Sequence, residues 1–355
     1  MFEKLKKALV IIIVLGTLVL AISMKDTIMD KLNLESDHIR DLRLIDSLEI
    51  EAFDSFKLYD DLTLVSDEEE IKYYNKDKEN FASIGRAKMD LVYGDKEIYI
   101  VDRESNSFKT IGLDGQERNS INFDRSQLYR ISEVNNLLIA HFKKGDFETI
   151  EILDKNGKNL RNHSVEKTSI LTYDLDRTSY ILAELNTNGQ VFTSEVRSYD
   201  MDGNLNYELI LEEEIVMETI LQARDGLLVQ TDESIYYLEN GEIIWSNRID
   251  SIEKILYTED RIYLLYSKTL ELLDMEGNIV AKLGLEKNYK DIIAYRDYII
   301  LYGERNILGL RGDKKILEYI YDDHIISMDA TSNHIGVQLE DSIDLYEIIR
   351  KTNME

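Results

Sequence analysis

The segment RIYLLYSKTLELLDMEGNIVAKLGL, residues Arg261–Leu285, contains the repeating unit that decides the fold. An apolar strand is followed by a polar turn, a second apolar strand, a turn of the form Asp-x-x-Gly and a last short strand. Similar units begin at Lys96, Gly226 and Tyr298. The turns contain glycine because a tight hairpin turn needs a positive φ, which glycine adopts without a Cβ clash. The pattern predicts short antiparallel strands joined by hairpins.

The turn glycines recur at a nearly constant interval. Their separations are 42, 46, 38, 36 and 35 residues, and their positions are Gly115, Gly157, Gly203, Gly241, Gly277 and Gly312. An earlier turn, at residues 75–78, has no glycine. This interval is typical of a four-stranded propeller blade, and no stretch after residue 51 shows sustained helical periodicity. We therefore predict an all-β protein, with a β-propeller over residues 52–350. Eight blades are favoured, with LRLIDSL from Leu42 available to complete the last sheet, and seven are possible.

The composition excludes several classes of function. The 355 residues contain no cysteine, which excludes disulfides, cysteine-ligated zinc, iron–sulfur clusters and thiol nucleophiles. Asp and Glu outnumber Lys and Arg by 69 to 42, for a net charge of −27. A nucleic-acid-binding protein needs a basic surface to displace the counterions of the phosphates. We therefore expect no nucleic-acid partner.

The N-terminus contains the clearest local signal. Three lysines within residues 1–7 precede an uncharged run of 17 residues, Ala8–Met24. As a helix this run would be about 25 Å long, at the short end for a bilayer core of about 30 Å. We predict a cytoplasmic N-terminus at residues 1–7 and an uncleaved transmembrane anchor at 8–24. A signal peptide cleaved after the small residues Ala21 and Ser23 is the main alternative, and a buried soluble helix is another.

The distribution of charge predicts the orientation of the chain. Residues 1–24 carry a net charge of +2, which leaves −29 on residues 25–355. Positive flanks of a membrane segment stay in the cytoplasm, so the acidic bulk is predicted to lie outside a single-pass cell-membrane protein. Residues 25–51 have apolar side chains at spacings of three and four, which predicts a juxtamembrane stalk. Residues 351–355 are interpreted as a tail.

Several motifs resemble chemical sites but are simpler to interpret as turns. The segment Asp200-Met201-Asp202-Gly203-Asn204 resembles a calcium loop, although an EF-hand loop has its glycine at position six and here it is fourth. The same pattern begins at Asp154 and Asp274, so we expect it to be architectural. The tripeptide Arg311-Gly312-Asp313 matches an integrin-binding motif but occupies the equivalent turn of its own repeat.

The remaining candidates do not form a recognisable site either. The acidic runs 67–70 and 212–214 are interpreted as solvated turns, with weak divalent-cation binding as the alternative. The five histidines have no pair at metal-ligand spacing: His38, His141, His163, His324 and His334. Neither a phosphate-binding glycine loop nor a Gly-x-Ser-x-Gly nucleophile motif occurs. We therefore predict no catalytic, cofactor-binding or metal-binding residues and no enzymatic activity.

Repeats such as IYLLYSKTLELLDMEGNIV, residues 262–280, resemble the quinoprotein-like propellers. The resemblance is greatest to membrane-anchored propellers of unknown function in clostridia and related bacteria, and it covers residues 50–350 plus the anchor. Related folds include quinone-cofactor dehydrogenases and the propeller lipoprotein that scaffolds outer-membrane barrel assembly. The resemblance implies a fold and says little about activity. The dehydrogenases use a tryptophan docking motif in most blades and an adjacent cysteine pair. This chain has one tryptophan, Trp245, and no cysteine, so no cofactor is expected.

The function that these observations favour is a non-catalytic extracytoplasmic propeller that binds a protein or a cell-envelope component. Propellers expose loops on two faces around a rigid body, which suits docking, and the net charge favours a basic partner. An exported enzyme or ligand sensor with a pocket in the central channel is the alternative, and a structural subunit of a membrane complex is a third possibility. Clustered carboxylates, Arg or His in the channel would favour ligand chemistry, whereas an apolar plug would favour a scaffold.

Overall fold

The computed structural model describes residues 40–350 except 125–126, 223–225 and 250. These residues form 32 strands in eight antiparallel sheets of four strands each. The predicted all-β propeller with eight four-stranded blades is therefore confirmed. No helix that could span a membrane occurs in the described part of the chain. The predicted anchor at 8–24 and the tail at 351–355 lie outside the described residues.

We number the blades 1–8 in chain order. The first strand, β1 (Arg40–Glu49), belongs to blade 8. Blade 1 consists of β2 (Ser55–Tyr59), β3 (Leu62–Ser66), β4 (Glu70–Asn75) and β5 (Asn80–Gly85). Blade 2 consists of β6 (Asp90–Tyr93), β7 (Glu97–Asp102), β8 (Ser107–Gly112) and β9 (Glu117–Asn122). Blade 3 consists of β10 (Gln127–Val134), β11 (Leu137–Lys144), β12 (Phe147–Leu153) and β13 (Asn159–Glu166). Blade 4 consists of β14 (Thr168–Leu175), β15 (Ser179–Asn186), β16 (Thr193–Asp200) and β17 (Leu205–Glu212).

The second half of the chain repeats this arrangement. Blade 5 consists of β18 (Val216–Gln222), β19 (Gly226–Thr231), β20 (Ser234–Glu239) and β21 (Glu242–Arg248). Blade 6 consists of β22 (Lys254–Tyr257), β23 (Ile262–Tyr266), β24 (Thr269–Leu273) and β25 (Ile279–Gly284). Blade 7 consists of β26 (Asp291–Tyr295), β27 (Tyr298–Tyr302), β28 (Asn306–Arg311) and β29 (Lys314–Ile320). Blade 8 contains β30 (Ser327–Ala330), β31 (Ile335–Gln338) and β32 (Ser342–Arg350).

The first strand of the described chain closes the ring. β1 pairs antiparallel with β32 as the fourth strand of blade 8, with Leu42 opposite Ile348 and Leu48 opposite Ile343. LRLIDSL thus completes the last sheet, as predicted. Residues 40–49 belong to the propeller although the sequence interpretation placed them in the stalk. The reason is that Leu42 is buried in the cluster between blades 7 and 8 and Leu48 in the cluster between blades 8 and 1, and the edge of β32 needs a partner.

The order of strands within each blade defines the geometry of the molecule. First strands of neighbouring blades contact one another, as β14 contacts β18 and β26 contacts β30. We call these eight strands the inner strands; they surround the central channel. The fourth strands are the outer strands. The lower face carries the turns between first and second and between third and fourth strands, and the upper face carries the remaining connections.

The core is divided among the blade junctions. The described residues contain eight hydrophobic clusters, and each joins two neighbouring blades. Middle strands are buried on both sides, as in β23, where Ile262, Leu264 and Leu265 are fully buried. Outer strands such as β25 have alternating half-buried and exposed residues. Blades therefore pack face to face, and each stabilises the next.

The Asp-x-x-Gly turns also fasten one blade to the next. Gly277 has a φ of +79°, and a Cβ placed there would lie 2.5 Å from the indole ring of Trp245 in the preceding blade. The Trp245 Nε1–H donates a 2.9 Å hydrogen bond to the carbonyl oxygen of Met275 in the same turn. Asn119 of blade 2 likewise donates a 2.9 Å hydrogen bond to a turn carbonyl of the next blade, that of Asn156. A glycine in these turns thus provides both the backbone conformation and a flat contact surface.

Candidate functional site

Charged side chains on the inner strands are paired between neighbouring blades. Asp329 of blade 8 accepts hydrogen bonds from the Lys57 Nζ at 2.9 Å and from the backbone N–H of Leu58 at 2.8 Å, both in blade 1. Lys254 of blade 6 lies 3.6 Å from a carboxylate oxygen of Asp291 in blade 7. Inner strands are sheet edges, so their free backbone groups need such partners. The inner strands therefore carry charged side chains that bridge neighbouring blades.

Asp174 repeats this arrangement on the opposite side of the ring. Its carboxylate accepts a 2.6 Å hydrogen bond from the backbone N–H of Leu221 in blade 5. Burial raises the pKa of Asp174, and the hydrogen bonds from Leu221 and Leu175 oppose that shift. Burial likewise raises the pKa of Glu218, on the neighbouring inner strand, and Lys254 opposes it. The channel wall at blades 4 and 5 thus holds two carboxyl groups that bind protons more readily than usual.

Three inner strands differ from the other five. β10, β14 and β18 each contain a β-bulge, in which Tyr129, Leu171 and Met217 have no partner residue on the second strand. The inner strands of the other blades pair without a register shift. The bulges lie near the upper ends of adjacent strands in blades 3, 4 and 5. Tyr129 is 46% exposed and Met217 is 58% exposed, while Leu171 is half-buried. We call these three residues the bulge patch.

Each bulge is held by a side chain of the preceding blade. A bulge disrupts the ladder of backbone hydrogen bonds, and the residue just before each bulge donates its N–H across the blade junction. The acceptors are Asn106 Oδ1 for Leu128 at 2.8 Å, Glu148 Oε2 for Ile170 at 3.1 Å, and Ser194 Oγ for Val216 at 3.2 Å. The same device in three consecutive blades fixes the position of the patch.

Bulges on the outer strands have a different meaning because they recur around the whole ring. Each of the eight outer strands contains one, at Ile45, Phe81, Arg118, Leu160, Asn206, Ile244, Val280 and Ile316. Several of these residues are exposed, as Ile244 is at 52%. A feature of every blade belongs to the architecture of the repeat. The inner-strand bulges occur in only three adjacent blades, so the architecture of the repeat does not require them. This distinguishes the bulge patch from the outer-strand bulges.

Cations surround the aromatic end of the patch. The Lys143 Nζ lies 4.2 Å from the ring centroid of Tyr129, and the Arg103 guanidinium lies 5.9 Å from it. Arg130, the next residue, lies 6.0 Å from the ring centroid of Tyr173. Among the described residues, no carboxylate is within ion-pair distance of Arg130. Such a grouping of cations with aromatic rings suits the recognition of a carboxylate next to an apolar group.

A buried histidine and glutamate support Tyr129 from below. The His141 ring stands at 77° to the Tyr129 ring with 5.2 Å between centroids, and its Nε2 is 2.9 Å from Glu148 Oε2. Burial lowers the pKa of His141, although Glu148 opposes the shift. Glu148 also binds the Lys143 Nζ at 3.1 Å. His141 and Glu148 thus hold the Tyr129 ring and the backbone before the bulge at Leu171 in position.

The turn aspartates accept hydrogen bonds within their own turns. Asp200 accepts hydrogen bonds from the backbone N–H and side-chain amide of Asn204, both at 2.8 Å. Asp274 and Asp154 accept equivalent backbone bonds in their own turns. The bonds from Asn204 lower the pKa of Asp200. No group of three or more His, Asp or Glu side chains arranged for a metal ion occurs in the part of the chain that the structure describes.

The other candidates are dispersed. Arg311 of the Arg-Gly-Asp turn between β28 and β29 pairs with Asp297 at 2.8 Å. In the first acidic run, Asp67 accepts the backbone N–H of Glu70 at 2.9 Å. In the second run, Glu214 accepts hydrogen bonds from Thr231 and Tyr236, both at 2.6 Å. The remaining histidines lie at separate positions: His163 lies in blade 3, His324 precedes β30, and His334 precedes β31. His38 lies outside the described residues.

Sequence reasoning missed the bulge patch, although a weak signal for it exists. Buried residues of a regular strand alternate, whereas the bulged strands have buried or half-buried pairs three residues apart. These pairs are Leu128/Ile131, Ile170/Tyr173 and Val216/Thr219. The break in a period of two indicates an extra residue.

Comparison with solved structures supports the fold. BamB from Moraxella catarrhalis is similar with a TM-score of 0.61 and 12% identity, over 86% of this chain and 99% of that chain. The computationally designed Ika8 protein is similar with a TM-score of 0.65 and 11% identity, over 86% and 99%. A eukaryotic initiation factor matches with a TM-score of 0.58 and 13% identity, over 85% and 90%. At these identities the likeness concerns the fold alone.

Comparison of sequences gives the family. No curated protein matches the chain. The family of unknown function DUF5711 matches residues 39–347, which include all eight blades. The match begins one residue before β1, so it includes the strand that closes the ring. The protein is therefore a member of the DUF5711 family.

Proposed function

We propose that the protein is a non-catalytic docking propeller held at the outer side of the cell membrane by residues 8–24, with its upper face presented to a protein partner. The single observation that carries this proposal is the bulge patch. Exposed apolar side chains in a rigid frame, rimmed by charged groups, are typical of docking surfaces. Two inner-strand cations, Lys57 and Lys254, already pair with carboxylates of neighbouring blades, which leaves them less available to a small ligand.

The position of β1 supports the orientation. β1 runs antiparallel to β32, so Arg40 enters the propeller at the lower face. Residues 25–39, which precede it, could reach at most roughly 50 Å when extended. A membrane anchor at 8–24 would then hold the lower face towards the bilayer. The upper face, with the bulge patch, would point away from it and be accessible to other proteins.

Cell fractionation combined with protease treatment tests the location. We expect the full-length protein in the membrane pellet, and we expect loss of a C-terminal epitope when intact protoplasts are treated with protease. A cytoplasmic protein in the same cells serves as the control for lysis. Full-length protein in the soluble cytoplasmic fraction would contradict the proposal.

Ligand binding in the channel is a second candidate, and a recess at its lower end favours it. The recess has a volume of about 430 Å³, and its lining includes Asn135, Asp176, Arg177 and Gln222. Asp176 already accepts hydrogen bonds from the backbone N–H groups of Thr178 and Ser179 at 2.6 and 2.8 Å. A thermal-shift screen of small polar metabolites tests this function. A stabilising hit that Arg177→Ala abolishes would favour a ligand sensor over a docking protein.

A further inference from the structure

We propose that the bulge patch binds a linear segment of a partner protein in which a carboxylate side chain lies next to an apolar one. The carboxylate would pair with Arg130, the adjacent apolar side chain would pack on Tyr129, and the segment would extend past Leu171 to Met217. This inference rests on the proposed docking function and specifies its surface and its partner. It differs from the sequence-based expectation of a basic partner, which considered only the net charge.

The apolar part of the site has the properties of a binding hot spot. Tyr129 and Met217 are large and about half exposed, and the backbone just before each is held by a hydrogen bond from the preceding blade, so little backbone freedom is lost when a partner binds. Methionine adapts to different apolar shapes, while tyrosine gives a rigid surface. Leu171 lies between them on β14 and packs on the core between blades 4 and 5. The core packing of Leu171 thus fixes the middle of the bulge patch.

The charge of the site is opposite to that of the whole molecule. In a chain with a net charge of −27, Arg103, Arg130 and Lys143 converge around two tyrosines. Arg103 pairs with Asp90, and Lys143 pairs with Glu148. Arg130 pairs with no carboxylate among the described residues, so its guanidinium is available to an incoming carboxylate. A guanidinium offers a carboxylate two parallel hydrogen bonds, which gives geometric specificity.

The two ends of the patch differ, which would set the direction of the bound segment. The cations lie at the Tyr129 end, in blades 2 and 3. At the Met217 end the next residue is Glu218, which interacts with Lys254 of blade 6. A segment with its carboxylate towards blade 3 would avoid repulsion by Glu218, and the reverse direction would encounter it. The patch would therefore bind its partner in one orientation.

Photo-crosslinking in living cells locates the docking surface. A photoreactive phenylalanine analogue replaces Met217 in one strain and Ile244, the equally exposed outer-strand residue of the same blade, in another. We expect a discrete protein adduct at Met217 that disappears in the Arg130→Glu background, and no equivalent adduct at Ile244. An adduct at Ile244 alone would overturn this inference but leave a docking function in place. Adducts at neither position would contradict the docking function itself, and lipid adducts at Met217 would overturn the inference.

A peptide-display experiment with the full-length protein in detergent tests the chemistry. Random 12-residue peptides are panned on the wild type, and binding of the enriched sequences is compared with that of Met217→Lys, Arg130→Glu and the control Ile244→Lys. We expect Asp or Glu beside an apolar residue, a loss of at least tenfold in affinity for the first two variants, and weaker binding at high salt because screening acts on the ion pair. Circular dichroism confirms that each variant is folded. Enrichment of basic peptides, absence of enrichment, or equal loss in Ile244→Lys would overturn the inference.

Discussion

At the scale of single residues, the stability of the ring depends on how well a turn fits the neighbouring blade. Glycines with similar backbone conformations occupy different surroundings. Gly277 has a φ of +79° and lies against Trp245, whereas Gly312 has a φ of +59° and open space around it. A comparison of Gly277 with Gly312 therefore distinguishes two reasons for glycine in a turn: a positive φ, and a close approach by a neighbouring side chain.

We predict that Gly277→Ala is more destabilising than Gly312→Ala. In Gly312→Ala the methyl group meets no other atom, so the cost is the left-handed backbone, about 1–2 kcal/mol. In Gly277→Ala the Cβ would overlap the indole ring, which adds about 1–3 kcal/mol for overpacking. Urea denaturation measures the free energy of unfolding of both variants. Equal losses would show that the contact with Trp245 has no energetic role.

We predict that His141 makes stability depend on pH. Burial holds the pKa of His141 below its ordinary value of 6.5 in the folded protein. At a pH between the folded-state pKa and 6.5, the unfolded chain therefore binds the proton more readily than the folded protein does. The stabilising contribution is therefore complete above pH 6.5 and is lost as the pH falls through the lower, folded-state pKa. In urea denaturation from pH 8 to 5, His141→Gln should lose less stability than the wild type. His324→Gln, at an exposed position, is the control, and identical pH profiles for wild type and His141→Gln would refute the prediction.

At the scale of elements, the distinctive feature is the group of three longer inner strands. β10, β14 and β18 have 8, 8 and 7 residues, whereas the other inner strands have 4 or 5. An extra residue in each longer strand needs an acceptor for the backbone group that it displaces. The side chains of Asn106, Glu148 and Ser194 meet that need, so the bulges are part of the packing between blades.

We predict that Ser194→Ala destabilises the protein by about 1–3 kcal/mol. Ser194 is fully buried, and its loss would leave the N–H of Val216 without its acceptor and the carbonyl of Glu214 without its donor. Urea denaturation measures the effect, with the exposed Ser246→Ala as the control. The bulge at Met217 should also loosen, which faster hydrogen exchange of the Val216 amide would show. A variant with wild-type stability and exchange would contradict the role assigned to Ser194.

At the scale of the whole molecule, stability depends on closure of the ring. Every blade packs against two neighbours, and blade 8 combines strands from both ends of the described chain. β32 pairs with both β31 and β1. Loss of this strand would expose two edges and uncover the clusters on both sides of blade 8.

We predict that deletion of residues 343–349 unfolds the whole propeller rather than one blade. Circular dichroism of the wild type should be dominated by β-structure and show one cooperative transition, which the deletion should abolish. Removal of residues 351–355, beyond β32, is the control and should leave the transition unchanged. A deleted protein that keeps the wild-type transition would indicate that the blades are stable as an open array.

The sequence alone determined the class of fold and the turns, and it favoured eight blades over seven, because these features depend on local interactions that repeat along the chain. A positive φ at Gly277, the hydrogen bonds of Asp200 within its turn, and apolar strands at a constant interval are all readable over a few residues. Because the turn aspartates bond within their own turns, the sequence was also sufficient to interpret them as turn residues. It also identified LRLIDSL as a strand, although the start of the propeller was placed twelve residues too late, at 52 instead of Arg40.

Only the tertiary structure decided which residues meet. Asp329 binds Lys57, 272 residues away, and Tyr173 of blade 4 packs against His141 of blade 3 beside Tyr129. Such contacts depend on the register of each strand and on the packing of blades around the ring, and one extra residue in a strand changes which side chains face the channel mouth. The composition indicated an acidic protein with no local motif for chemistry. The grouping of Arg103, Arg130 and Lys143 with Tyr129 and Tyr173 exists because blades 2 to 4 bring those side chains together.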